Sequence, residues 1–239
     1  MTTPSALIFD LDDTLIRAYA NRGAAWRDHL AGYAAALHPH NPVRVADSVS
    51  SHAAHLWRSS EVYDRGGHDL EAARRTIVGS AFRELAIDAP ALAAEIADAF
   101  TAKRKQGYAL FEDTLPVLTN LKEKGIRLGL LTNGGSDSQR AKLERFALSD
   151  YFDYIGISEE IGHAKPDAAV FELALTALDT TATDIWMVGD HLEWDVAGAQ
   201  AVGMAAVWFN PDKATLPAGS TPDYLITTLS QLPDLIENA

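Results

Sequence analysis

Residues 6–15, A-L-I-F-D-L-D-D-T-L, constrain the fold more than any other stretch of the chain. The short apolar run Ala6–Phe9 is bounded by polar residues, which is typical of a strand buried on both faces. Asp10 ends this run, and Asp12 and Asp13 follow it closely. Open α/β sheets bind ligands at the carboxyl ends of their strands. The stretch therefore predicts a strand that delivers a carboxylate to a binding edge.

The crowding of these carboxylates has two explanations. Like charges at a strand end repel one another and lose hydration, and a bound divalent cation would offset both costs. Alternatively, the residues form a polar turn in which Asp13 is the N-cap of a helix. Taken alone, the stretch supports the two explanations about equally.

Composition limits the class of protein. The chain has 239 residues, 47% of them hydrophobic, which suffices for one large α/β domain or a domain with a sizeable insertion. A formal charge of −13 argues against polymeric nucleic acid and membrane surfaces as partners. No apolar run approaches the ~20 residues that cross a bilayer, and the first residues lack a signal region, so we expect a cytoplasmic protein. Without cysteine, the chemistry must rest on Asp, Glu, His, Lys, Ser or Thr.

Two regions of the chain show different periodicities. Residues 18–107 carry apolar side chains at helical spacing, the first stripe being Trp26, Leu30, Tyr33 and Leu37. We expect four amphipathic helices packed as a small bundle. From Leu110 onward, helical stretches alternate with apolar runs at 126–131, 154–157, 185–188 and 204–209, which is typical of parallel βαβ units.

These patterns predict an α/β fold with two domains. Residues 1–16 and 108–239 would form a doubly wound parallel, Rossmann-like core, and residues 17–107 an inserted four-helix cap. Polar groups follow several core strands, and parallel topology would bring those strand ends together. Each has an ordinary explanation as a strand-to-helix turn, a surface lysine or an acidic helix start. The groups are Thr132-Asn133-Gly134 and Gly189-Asp190 with Asp195, which follow strands, and Lys165-Pro166, which precedes a helix.

In this order, the motifs resemble those of the haloacid dehalogenase superfamily of aspartate-nucleophile hydrolases. D-L-D-D-T at residues 10–14 resembles the first motif, Thr132 the second, Lys165 the third, and Gly189-Asp190 with Asp195 the fourth. The helical insertion resembles the mobile cap of the branch that contains small-molecule phosphatases, β-phosphoglucomutase and the dehalogenases.

The resemblance implies a mechanism. Asp10 would attack phosphorus to form an aspartyl phosphate, and Asp12 would protonate the leaving oxygen and then take a proton from water. The side chains of Asp10 and Asp190 and the backbone carbonyl of Asp12 would hold Mg²⁺, with Asp195 supporting that site from behind. The other implied site residues are Thr132 and Lys165, which would bind the transferring oxygens, and Leu11, Thr14, Asn133 and Gly134, which would complete a phosphate cradle.

Asp12 separates the chemistries within the superfamily. Halide displacement needs no proton, and members of the dehalogenase type lack an acid two residues after the nucleophile and dispense with Mg²⁺. We therefore expect a Mg²⁺-dependent phosphatase for a small phosphorylated metabolite, present as a monomer or homodimer. A 2-haloacid dehalogenase, a phosphomutase and a non-catalytic phosphate-binding protein stay open as alternatives. Candidate specificity residues, for which ordinary surface or core roles are at least as good an explanation, are Arg17, Trp57, Arg58, Arg65 and Gln139.

Overall fold

The computed structural model describes residues 3–17, 24–56 and 70–238. Trp57, Arg58 and Arg65, three of the candidate specificity residues, lie outside the described residues. The chain divides into two compact units, one formed by Met1–Arg17 with Ala109–Ala239 and the other by Ala18–Tyr108. Among the described helices, none combines the length and the apolar character needed to cross a membrane.

The first unit is built on a six-stranded parallel sheet, which confirms the predicted fold class. The strands are β1 Ala6–Phe9, β2 Ile16–Arg17, β3 Ala109–Leu110, β4 Arg127–Thr132, β5 Tyr154–Ile157, β6 Ile185–Gly189, β7 Ala205–Phe209 and β8 Tyr224–Ile226. The sheet order is β5-β4-β1-β6-β7-β8, so the chain adds strands on one side of β1 and then crosses to the other side. This switch point lies between β1 and β6, where open α/β sheets bind ligands. A short antiparallel pair joins β2 to β3.

The second unit is helical in the part that the structure describes, and the helices there share one apolar core. The predicted helix from Trp26 to Leu37 is divided at Gly32, because glycine weakens a helix interior and its N–H donates to the carbonyl of His29 instead. Leu30 and Leu37 still pack into the common core. The described helices of this unit are α1 Ala25–Ala31, α2 Ala34–Leu37, α3 Pro42–Leu56, α4 Leu70–Glu84 and α5 Pro90–Gln106.

Both faces of the sheet are covered at its central strand, β1. Every residue of β1 is fully buried, as a continuous apolar run predicts for a central strand. Ile8 and Met187 pack on one face against Phe171. The helices of this unit are α6 Thr114–Glu123, α7 Ser136–Arg145, α8 Ser158–Ile161, α9 Ala168–Ala177, α10 Gly198–Ala201 and α11 Leu232–Glu237, and a π-helix, Leu192–Ala197, leads into α10.

Two residues of α9 test this packing. Phe171 is fully buried, whereas Leu173 on the same helix is 42% exposed. We expect Phe171→Ala to lower the free energy of unfolding by about 3–5 kcal/mol, because it removes a ring from the core and leaves a cavity. Leu173→Ala should change it by no more than about 0.5 kcal/mol. Urea titrations of both variants measure the difference, and equal losses would contradict the described packing of α9.

Candidate functional site

Three acidic side chains converge at the switch point of the sheet. Asp10 follows β1, and Asp190 follows the neighbouring strand β6. Asp195 lies within the π-helix that comes next in the chain. Each of the three offers a carboxylate oxygen, and these oxygens lie within 4.8 Å of one another. The structure thus brings together three of the residues that the motif pattern singled out.

Lys165 lies among these carboxylates and is not a surface lysine. Its Nζ is 2.7 Å from Oδ1 of Asp10 and 2.6 Å from Oδ1 of Asp195. Only 3% of the residue is exposed. The side chain of Asn133 holds the backbone of Lys165 from both sides, accepting from its N–H and donating to its carbonyl, each at 2.9 Å. The loop after β4 therefore fixes the backbone of Lys165, and the carboxylates of Asp10 and Asp195 fix the position of its ammonium group.

The electrostatics of this group favour a further cation. Burial raises the pKa of Asp10 well above its ordinary value, Asp195 and Asp190 raise it further, and Lys165 opposes them. Burial alone would lower the pKa of Lys165, but Asp10 and Asp195 outweigh it and raise that pKa. The Lys165 ammonium thus lies beside a cluster of three carboxylates and contacts the two buried ones, those of Asp10 and Asp195. Oxygen donors at this spacing suit a hard dication, which would reduce the remaining repulsion.

The loop after β6 is shaped around Asp195. Oδ2 of Asp195 accepts the N–H of His191 at 2.9 Å. A Cβ on Gly189 would lie 2.3 Å from the same carboxylate, so this position requires glycine. Trp208 on β7 donates its indole N–H to the carbonyl of Asp190 at 2.9 Å. These contacts hold the acidic loop against the sheet.

The turn after β1 differs from one of the two explanations offered for it. Asp13 has a φ of 64° and donates its N–H to the carbonyl of Ile16 at 2.6 Å. The carbonyl of Leu11 accepts from Leu15 and Ile16, both at 3.0 Å, so the chain turns back into β2. The interpretation of Asp13 as a helix N-cap is therefore wrong, since a strand follows it.

Thr14 is buried in the same turn, and its hydroxyl donates to Oδ1 of Asp190 at 3.4 Å.

Asp12 points to a different set of partners from Asp10. Lys142 on α7 places its Nζ 2.8 and 2.6 Å from the two carboxylate oxygens of Asp12. Gln139 donates to Oδ2 of Asp12 at 3.0 Å and also to the hydroxyl of Thr132. Gln139 is fully buried, which agrees with the core role that the sequence left open rather than with a place on an open specificity surface. Lys142 is not among the residues that the motifs predicted, although its spacing of three from Gln139 places both side chains on one face of a helix.

Gly134 makes room for this arrangement. Its φ of 147° is accessible to glycine, and an added Cβ would lie 3.2 Å from Cδ of Gln139. Its N–H donates to Oγ of Ser158 at 2.9 Å. Gly134 thus joins the end of β4 to the start of α8.

Arg17, another candidate specificity residue, is exposed on β2, with its guanidinium 4.7 Å from the centre of the Phe111 ring.

The sequence of this chain is similar to the sequences of known hydrolases. Residues 4–203 match the family described as haloacid dehalogenase-like hydrolase. A phosphoserine phosphatase from Thermus thermophilus is 31% identical over 95% of this chain and 96% of its own. Human N-acylneuraminate-9-phosphatase is 30% identical over 98% of this chain and 94% of its own. A ribulose-1,5-bisphosphate 5-phosphatase from Halopiger xanaduensis is 37% identical, over 62% of this chain and 65% of its own.

Solved structures show the same fold. A 2-haloacid dehalogenase from Pseudomonas syringae superposes with a TM-score of 0.60 and 32% identity, over 100% of this chain and 99% of its own. A HAD phosphatase from Thermococcus onnurineus gives a TM-score of 0.66 with 25% identity, over 99% and 98%. The magnesium-bound HAD-hydrolase YfnB of Bacillus subtilis gives 0.71 over 97% of each chain, and its 24% identity speaks for the fold alone.

Two glycines test the shape of the acidic loop. We expect Gly189→Ala to lower the free energy of unfolding by about 1–3 kcal/mol, because its Cβ would displace the buried carboxylate of Asp195. In the control Gly79→Ala, within α4, the new Cβ would meet only the end of the Arg83 side chain at 3.9 Å. That variant should gain about 0.5–1 kcal/mol, since alanine favours a helix interior. Thermal unfolding of both checks the signs, and a stabilised Gly189→Ala would refute the described loop.

Proposed function

The chain belongs to the haloacid dehalogenase-like hydrolases, and from that premise we propose that it is a Mg²⁺-dependent phosphatase for a small phosphorylated metabolite. The observation that carries the proposal is the buried carboxylate of Asp10, 2.7 Å from the ammonium of Lys165, with a second acid, Asp12, two residues further on. Relatives that match nearly the whole chain bear phosphatase names. We also propose that the protein is cytoplasmic and that it is a monomer or a homodimer.

In the first step, a carboxylate oxygen of Asp10 attacks phosphorus, and the bond from phosphorus to the ester oxygen breaks. Asp12 gives its proton to the leaving oxygen, and the phosphoryl group becomes an aspartyl phosphate on Asp10. Lys165 would bind a transferring oxygen, because its ammonium already lies at the nucleophile. The hydroxyl of Thr132, at the end of β4, would bind another.

In the second step, water attacks the same phosphorus atom. Its proton passes to the carboxylate of Asp12, the bond from Asp10 to phosphorus breaks, and inorganic phosphate leaves. Asp12 thus returns to its protonated form and Asp10 to its carboxylate, so one acid serves both directions of proton transfer.

The residues at the switch point fit Mg²⁺. The carboxylates of Asp10 and Asp190 and the backbone carbonyl of Asp12 would hold it, because Mg²⁺ prefers oxygen donors. The carboxylates of Asp10, Asp190 and Asp195 offer oxygens within 4.8 Å of one another, which suits such an ion. When bound, it supplies positive charge that offsets the repulsion between a carboxylate nucleophile and a phosphate dianion. Asp195 contributes by holding Lys165 and the acidic loop in place.

We assign the remaining residues to the shape of the phosphate cradle. Thr14 would orient Asp190 through its hydroxyl, and Asn133 would fix Lys165 through its side chain. Backbone amides of Leu11 and Asn133 would face the phosphate, and Gly134 would allow the turn between them and α7. The helical unit would serve as a cap that determines the substrate.

A dehalogenase is the second candidate, because one superposed structure of that name is 32% identical to this chain. Halide leaves without a proton, so a dehalogenase has no use for an acid at position 12. Here Asp12 is present, and two other side chains hold it in place. This favours the phosphatase. A phosphomutase would use the same residues but would have to return the phosphoryl group.

A screen of phosphorylated metabolites tests the activity. We expect release of inorganic phosphate from at least one small monoester, lost on addition of EDTA and restored by Mg²⁺. Asp10→Asn should lower turnover by at least about 10³-fold, because no nucleophile remains, and circular dichroism should show an intact fold. The exposed neighbour Glu193 offers a control, Glu193→Gln, that should retain activity. A fully active Asp10→Asn, or halide release that survives chelation, would reject the phosphatase.

Metal binding can be measured without turnover. Mg²⁺ at about 100 times its Kd should stabilise the protein by about 2.7 kcal/mol and raise the Tm accordingly, because the ion binds the folded state. Asp190→Asn should largely abolish this shift, and Glu193→Gln should keep it. Equal shifts in both variants would place Mg²⁺ somewhere other than the switch point.

A further inference from the structure

We propose that Lys142 is a positioning residue that holds the carboxylate of Asp12 ready to take a proton from water in the second step. The inference rests on the proposed function and adds a residue to it. It starts from an ion pair that the two-step chemistry did not require: both oxygens of Asp12 lie within 2.8 Å of the Lys142 ammonium.

The pair is fixed more firmly than a surface ion pair. The Lys142 side chain is 3% exposed and that of Asp12 22%. Exposed ion pairs contribute little because solvent screens them and both side chains are mobile, but a buried ammonium deprived of its partner is costly. Lys142 is therefore held to Asp12, and Asp12 is held to one orientation.

Gln139 completes the arrangement. Its side-chain oxygen accepts from Nζ of Lys142, and its nitrogen donates to Oδ2 of Asp12. The same nitrogen also donates to the hydroxyl of Thr132. Helix α7 thus carries, three residues apart, two side chains that connect Asp12 with a proposed phosphate ligand. Movement of α7 would displace both of them together.

The chemistry of the donors indicates which step they serve. An ammonium and an amide N–H only donate, so their contacts match the carboxylate of Asp12, which is the form that accepts a proton. In the second step, the bond from water oxygen to phosphorus forms as the bond from Asp10 to phosphorus breaks, and the water proton passes to that carboxylate. A carboxylate already oriented by Lys142 loses less freedom when it reaches this transition state.

The test uses Lys142→Met and p-nitrophenyl phosphate, whose leaving group needs no proton. Phosphorylation of Asp10 should then be independent of Asp12, and hydrolysis of the aspartyl phosphate should depend on it. We expect kcat to fall about 10- to 100-fold while kcat/KM changes less than about twofold, so that KM falls together with kcat. A burst of p-nitrophenolate approaching one equivalent per enzyme should appear, because the phosphorylated enzyme accumulates.

Two controls separate positioning from structure. Arg145→Met removes an exposed cation from the same helix and should leave both constants unchanged. In the Asp12→Asn background, Lys142→Met should cause no further loss, because the group through which it acts is gone. If Lys142→Met does not fold, Lys142→Gln keeps a hydrogen-bond donor at the position and should show the same pattern with a smaller fall.

Three results would overturn the inference. They are an unchanged kcat in Lys142→Met, an equal fall of kcat and kcat/KM, and a further loss in the Asp12→Asn background. An equal fall would show that Lys142 only supports the site as a whole. Failure of the wild-type protein to hydrolyse any phosphate ester would be a different result, because it would reject the proposed phosphatase itself.

Discussion

The ammonium of Lys165, buried between Asp10 and Asp195, is the contact on which the rest of the site depends. Gathering three acids at one sheet edge, two of them buried, is unfavourable, and a single lysine offsets only part of that cost. Removing one partner from a buried ion pair typically costs about 3–5 kcal/mol, because the charge left behind has no compensation. Lys165 therefore connects three separate segments of the chain. The negative charge of the carboxylates that it leaves uncompensated suits a bound dication.

Backbone geometry, rather than side-chain charge alone, makes this contact possible. Gly189 leaves the space that the carboxylate of Asp195 occupies, and Asn133 secures the backbone of Lys165. Asp195, which contacts the lysine, lies in the π-helix after β6, a kind of helical irregularity that is frequent at functional sites. A second polar cluster, formed by Asp12 with residues of α7, lies beside the first and has its own ammonium. Each of the two acids proposed for the chemistry thus has a lysine of its own, which keeps their environments distinct.

Some of this organisation was readable from residue order. The apolar run of β1 predicted a strand covered on both faces because every one of its side chains had to be buried. Two interpretations failed for local reasons. Asp13 precedes a strand rather than a helix, since its left-handed φ turns the chain back into β2, and Gly32 divides a stripe that had suggested one continuous helix. The periodicity of apolar residues shows which face of a helix is buried. It does not show that the hydrogen bonds of the helix are interrupted at a glycine.

Residue order determined the fold class and the strand ends at which Asp10, Lys165 and Asp190 would meet, because buried runs and the right-handed crossovers between them leave few topologies. The tertiary structure decided which other side chains contact these residues and their neighbours in the site. Lys142 stands in the polar stretch Q-R-A-K-L-E-R, which is typical of an exposed helix, and its contact with Asp12 spans a separation of 130 residues along the chain. A pairing at that distance depends on how α7 packs beside the sheet, and no pattern local to either residue records that packing.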